Sequence, residues 1–227
     1  MDNNIRSKLK STDMSKIFII NTGLTQYIEG NWDFLTKVKV NNMFNGCTNL
    51  TSFTGDLSSL TNGSYMFNNC KNLTFFNGGL SSLTNGSYMF FQCPKLTTFN
   101  SDLGSLINGN HMFYKATNLT SFTGDLSSLT YGEDMFSSCS NLTSFTGDLS
   151  SLTNGSNMYG SSTKYCTKLD LASVQNIATT INDLAAQGKT GSINIGMTNT
   201  IQGNTELEAA LATIRSKGWT VSEIYKS

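Results

Sequence analysis

Residues 50–67 read LTSFTGDLSSLTNGSYMF, residues 119–136 read LTSFTGDLSSLTYGEDMF, and residues 142–159 read LTSFTGDLSSLTNGSNMY. The first twelve residues of the three are identical. The closing Met-aromatic pair recurs every 23 residues, at Met43-Phe44, Met66-Phe67, Met89-Phe90, Met112-Phe113, Met135-Phe136 and Met158-Tyr159. Other apolar positions keep the same register: Leu50, Leu73, Leu96, Leu119 and Leu142, then Phe53, Phe76, Phe99, Phe122 and Phe145, then Leu57, Leu80, Leu103, Leu126 and Leu149. A fixed period of about 20 to 50 residues signals an array, because one unit cannot bury its apolar side alone and stacks on its neighbours. Twenty-three residues are too few for two helices. The spacing predicts one short strand and one tight turn of helix per coil.

Written out, the unit is G-x-x-M-F-x-x-C-x-x-L-T-x-F-x-G-D-L-x-S-L-T-N. This pattern resembles the BspA-like leucine-rich repeat, whose units carry a Met or small residue followed by Phe, then Cys, then Leu and a further apolar residue. The resemblance covers about residues 41 to 162. It implies an α/β leucine-rich-repeat solenoid of 23-residue coils. It also implies surface adhesion or recognition, since such repeats are frequent in bacterial surface proteins and in proteins encoded by bacteriophages of gut bacteria.

The 227 residues are 38% apolar and only 13% charged, which suits one elongated domain with Asn, Ser and Thr supplying polarity. Between residues 43 and 162 three lysines (Lys71, Lys95, Lys115) face six acids (Asp56, Asp102, Asp125, Glu133, Asp134, Asp148), leaving three net negative charges. Such a body lacks the phosphate attraction that nucleic-acid binding requires. Ile17-Phe18-Ile19-Ile20 is too short for a signal peptide's apolar region or a membrane span. Cys47, Cys70, Cys93 and Cys139 share one repeat position, where Ala116 and Ser162 stand in other copies. Replacement by Ala points to packing rather than disulfides or zinc, and free buried thiols fit folding in a reducing cytosol.

Three regions are expected in one continuous stack. Residues 1–41 form an N-terminal tail and cap, within which Trp32 to Val40 loosely echoes the unit. Residues 42–165 carry the repeats. Residues 166–227 form a C-terminal cap in the order strand, helix, strand, helix, strand. Its first helix is predicted over residues 172–187, with Val174, Ile177, Ala178, Ile181, Leu184 and Ala185 at helical spacing and Gly188 as the stop. A strand near Ser192 to Gly196 follows. Thr205 with Glu208 has capping-box spacing before the second helix, which ends at Lys217-Gly218, and Trp219 to Ile224 reads as the last strand.

Catalysis needs a convergent group of titratable residues, and the single histidine, His111, occupies a position filled elsewhere by Tyr65, Tyr88, Asp134 or Asn157. It reads as a variable surface residue. Asp56, Asp102, Asp125 and Asp148 form an acidic column that reads as turn acceptors rather than calcium ligands. Gly63, Gly86, Gly109, Gly132 and Gly155 are expected to supply positive φ. The expected function is therefore a non-catalytic binding or structural repeat protein without cofactor or metal. Two departures from the repeat mark candidate binding residues: Phe75 with Asn77 on the outward strand face, and Phe91-Gln92 with Tyr114-Lys115 after the Met-Phe pair. Aromatic residues within a polar rim suit protein or surface-glycan contacts. The expected setting is a phage particle, as a fibre or decoration protein folded in the host cytosol and attached through residues 1–41. A bacterial cell-surface adhesin is the alternative.

Overall fold

The computed structural model describes the backbone of residues 27–31 together with residues 41–160, 168–198 and 201–226. The echo at Trp32 to Val40 and Cys166 lie outside the described residues. The repeats make a solenoid-like stack. On one face, β1 (Tyr27–Asn31), β2 (Ser52–Asp56) and β3 (Phe75–Gly79) form a parallel sheet in chain order. The short parallel pair β4 (Ser121–Phe122) and β5 (Ser144–Phe145) continues it further along. Ser52 lies opposite Phe75 and Phe53 opposite Phe76, so the register equals the sequence period. A second line of parallel bridges joins Asn62, Asn85, Asn108, Tyr131 and Asn154 at the next corner.

The expected turn of helix is not formed on the Met-Phe side, where consecutive tight turns take its place. The hydrogen bonds explain why. Met66, Asn68 and Cys70 N–H groups donate three residues back, to Gly63, Tyr65 and Phe67 carbonyls. The intervening Gly63, Tyr65, Phe67 and Asn69 N–H groups donate to Asn85, Ser87, Met89 and Phe91 in the next coil, at 2.8–3.1 Å. A helix would use every N–H internally and leave neighbouring coils unjoined. Alternation carries a conformational cost, because Tyr65, Asn69, Tyr88, Gln92, His111, Lys115, Asp134 and Ser138 all adopt left-handed backbone, with φ between 53° and 66°.

The repeated glycines do not supply that conformation, contrary to expectation: Gly63, Gly86, Gly109, Gly132 and Gly155 are absent from the positive-φ positions. They make room instead. A Cβ on Gly109 would lie 3.1 Å from both Leu129 Cδ1 and Met135 Sδ.

Two phenylalanine columns interleave in the core. Phe67, Phe90, Phe113 and Phe136 stack at 5.4–5.6 Å, and Phe76, Phe99 and Phe122 stack beside them at 5.9–6.1 Å. Rings of one column meet the other edge-on, as at Phe99–Phe113, 4.8 Å, a geometry favoured by the ring quadrupoles. The cysteines Cys47, Cys70, Cys93 and Cys139 are free and buried. Thiols of Cys70, Cys93 and Cys139 donate to Phe44, Phe67 and Phe113 carbonyls at 3.1 Å. Burial pushes the Cys93 thiol up to about 12, as suits a packing residue. In the acidic column, Asp56, Asp102, Asp125 and Asp148 each accept the N–H two residues on at 2.8 Å, the turn role expected of them.

After the repeats come α1 (Leu171–Thr180), β6 (Gly191–Thr198), α2 (Thr205–Ser216) and β7 (Trp219–Lys226), with β6 and β7 parallel. Of the first strand expected here, the described residues show one bridge, Leu169 to Met197. The first helix stops at Thr180 because Ile181 turns extended, ψ 138°, and residues 185–187 make a separate 3₁₀ turn before left-handed Gly188. Asp170 caps α1, and Asn204 rather than Thr205 caps α2, accepting from Glu206 and Leu207 N–H. Lys217 Nζ donates to the Ala178, Thr179 and Ile181 carbonyls at 2.9–3.1 Å, placing a cation where α1 ends. This unit packs on the last repeats through the Gly155–Ile193 bridge, and Phe145 N–H donates to Ser173 Oγ at 2.8 Å. Among the described residues no helix is long and apolar enough to cross a membrane.

Candidate functional site

The turn face carries the two columns that hold left-handed backbone, and most of their side chains are half-buried there, in register from one repeat to the next. Phe91 and Tyr114 stack at 5.0 Å with planes 8° apart, as their one-period separation implies. Both are partly rather than fully exposed. Lys115 Nζ lies 5.4 Å from the Tyr114 ring centre, within cation–π range.

A second stack runs alongside. Tyr65 and Tyr88 are 4.6 Å apart and 4° from parallel, and Tyr88 and His111 are 4.5 Å apart. Tyr88–Phe91 at 5.4 Å and His111–Tyr114 at 5.9 Å join the two stacks into one patch. The variable reading of the position of His111 passed over Tyr65 and Tyr88. The available signal was that three consecutive copies put a ring at one column. Because the rings lie against each other along the stack, their faces are occupied and mainly their edges and polar tips meet solvent. Such a patch suits polar and edge contacts better than stacking of a sugar ring.

Beside the patch lies an open groove of about 360 Å³ lined by Lys71, Gln92, Pro94, Lys115, Thr117 and Ser138. Lys95 follows Pro94 and donates to Asn72, the neighbour of Lys71, at 2.7 Å. Lys71, Lys95 and Lys115 are the only lysines or arginines between residues 43 and 160, and two of them, Lys71 and Lys115, line this groove. The aspartates of the acidic column instead follow the strands. Hydrogen bonds from Ser58 hold the Asp56 carboxyl below its usual range, so it remains ionised.

Of the residues singled out in the sequence, Gln92 and Lys115 line the groove and Phe91 and Tyr114 flank it. Phe75 and Asn77 are not brought to it. They point outward from β3, where Phe75 is 48% exposed and makes no ring contact with the described residues. Metal-ligand chemistry appears among the described residues only where His111, Glu133 and Asp134 converge at the end of the aromatic patch. Burial raises the Asp134 carboxyl above its ordinary value, against a lowering hydrogen bond from Ser137 and the nearby His111.

The pattern described as the BspA type leucine rich repeat region matches residues 37–170 and 109–204, in six copies. The chain belongs to the BspA-type leucine-rich repeat family. Comparison with curated proteins and with solved structures returns no match. In this BspA-type chain the family match contains all of the groove and both aromatic stacks. It also runs beyond the regular repeats into the unit that holds α1 and β6.

Proposed function

We propose that the protein is a non-catalytic recognition module that docks an acidic surface of another protein in the lysine-lined groove of its turn face. The observation that carries this reading is the pair Lys71 and Lys115 lining one groove, with Lys95 directly following its lining residue Pro94, on a repeat body with a net negative charge. Charge complementarity of this kind steers encounter and rejects partners of the wrong sign. The stacked Phe91 and Tyr114 add a rigid apolar wall next to the charges, the combination that anchors interfaces. In the same reading, each 23-residue unit is one coil. The α/β unit from residue 168 onward covers the last coil as a cap, as arrays require.

The setting we propose is a phage particle, with the protein as a fibre or decoration component; the family resemblance supports it, and the bacterial cell surface is the alternative. Mass spectrometry of what co-purifies with the native protein tests both points. Capsid or tail proteins in stoichiometric amounts support the particle, whereas envelope material supports the adhesin. Binding to the partner so found is then measured with Lys71→Glu/Lys115→Glu. The expected result is a loss of at least about tenfold that grows less marked at high salt. Unchanged affinity would remove the groove from consideration.

A further inference from the structure

Where the Tyr65–Tyr88–His111 stack ends, the same column continues into Asp134, and the preceding residue Glu133 reaches the same point. We propose that His111, Glu133 and Asp134 form a binding site for one divalent transition-metal ion of the zinc type, independent of the lysine groove and of any partner it holds.

Geometry comes first. One ligand atom from each of the three side chains lies within 4.8 Å of the others, and His111 Nδ1 is 3.9 Å from Asp134 Oδ2. Zinc bonds of about 2.0–2.2 Å in tetrahedral geometry place ligand atoms roughly 3.4 Å apart, so small side-chain rotations close the set around an ion. The backbone that carries them is already fixed. His111 N–H donates to the Glu133 carbonyl at 2.8 Å and Asp134 N–H to the Ser156 carbonyl at 2.9 Å. Glu133 N–H donates to Asn110 Oδ1 at 2.9 Å. The imidazole is held between the face of Tyr88 and the edge of Tyr114. A ligand set held this way loses little freedom on binding.

The second observation is the nitrogen itself. The His111 side chain is 22% exposed, but its Nδ1 is turned away from solvent and has no hydrogen-bond partner, although a carboxylate lies beside it. Buried polar atoms left this way call for an explanation, and a metal ion between nitrogen and carboxylate supplies one.

Ligand chemistry selects the ion. One imidazole and two carboxylates suit zinc and its first-row neighbours, whereas calcium requires six to eight oxygens. Three protein ligands leave a further coordination position for water or for a donor from another molecule. The buried thiols are no competitors, since burial pushes Cys70 and Cys93 up and away from the thiolate form that binds metal.

The test is a zinc titration of the full chain against a chromophoric chelator, with the cobalt(II) absorption spectrum as a second readout. His111→Asn, Glu133→Ser and Asp134→Asn introduce residues that other coils carry at those columns, namely Asn42, Asn157, Ser64, Ser87 and Ser156. Unchanged circular dichroism then shows that the fold is kept. The expected result is one ion per chain, weakened by at least about tenfold in each variant, the size of effect that loss of even an outer partner produces. Absence of saturable binding overturns the proposal. So does wild-type affinity in His111→Asn, or an intense thiolate-to-cobalt charge-transfer band, which would place the ion on cysteine instead.

Discussion

Replacing Phe113 by Ala tests the central packing claim, because this ring lies in the middle of the array with ring partners on every side. It is fully buried. It touches Phe90 at 5.6 Å and Phe136 at 5.5 Å along its own column. It also meets Phe99 at 4.8 Å and Phe122 at 5.9 Å across the columns. Truncating a buried phenylalanine to alanine costs about 3–5 kcal/mol through lost transfer energy and the cavity left behind. Phe113→Leu refills most of the volume but gives up the ring pairs, each worth about 0.5–1.5 kcal/mol and not additive, so a loss of about 2 kcal/mol is expected. Urea unfolding is followed by circular dichroism and by the fluorescence of Trp219, which is 2% exposed in the C-terminal unit, with Trp32→Phe as background so that one tryptophan reports. In the parent the two probes should coincide. In Phe113→Ala they should separate, since an array whose middle interface is weakened loses cooperativity between its halves. A loss below about 1 kcal/mol for Phe113→Ala would refute the close-packed ring columns.

Thiol labelling followed by peptide mapping should leave Cys70, Cys93 and Cys139 unmodified in the native protein, with Cys47, the most exposed of the four at 7%, reacting first; rapid native labelling of Cys93 would contradict its burial. Gln92→Gly should stabilise by up to about 1 kcal/mol, because Gln92 sits at φ 56°. Gly109→Ala should destabilise by about 1–3 kcal/mol through crowding of Met135, and thermal or urea melts of the two variants must move in opposite directions. For Asp134 burial, first of all, holds the folded carboxyl above the ordinary aspartate value of 3.8, so the folded state binds more protons between 3.8 and its raised pKa. Stability from this group is therefore lost as pH rises through that window. Asp134→Asn, melted in the presence of chelator, should be the more stable protein at pH 7, with the advantage gone below pH 3.8; an advantage confined to acid would reverse the sign.

The stack was legible because its signal is redundant. Leu73, Phe76, Leu80 and Met66 repeat in every coil, and burial follows that pattern with little exception. What escaped was governed by hydrogen bonds that have no residue-type signature. The turn side alternates local and inter-coil bonds, and Tyr88, His111 and Lys115 accept left-handed backbone that their side chains do not advertise. The glycines misled for the same reason, since a glycine that admits a neighbouring Met looks the same in sequence as one that admits a positive φ. Phe91 and Tyr114 were visible as departures from small polar residues. Lys71 and Pro94 were not, because the groove brings together two different unit positions, that of Lys71, Pro94 and Thr117 and that of Gln92, Lys115 and Ser138, whose proximity depends on how the corner folds.

The alternation of hydrogen bonds on the turn face has a genetic consequence. Gly63, Tyr65, Phe67 and Asn69 hand their donors forward to a coil that offers the same acceptors as any other, so the interface between two coils does not record where in the stack it lies. An in-frame duplication or loss of one unit, which the identical twelve-residue stretches at 50, 119 and 142 make easy by unequal recombination, removes no bond type and exposes no new edge. It shifts everything beyond it along the axis by one strand spacing, about 4.8 Å. Length in this protein is thus heritable in discrete steps, and the distance between its two ends can be tuned without redesigning either of them.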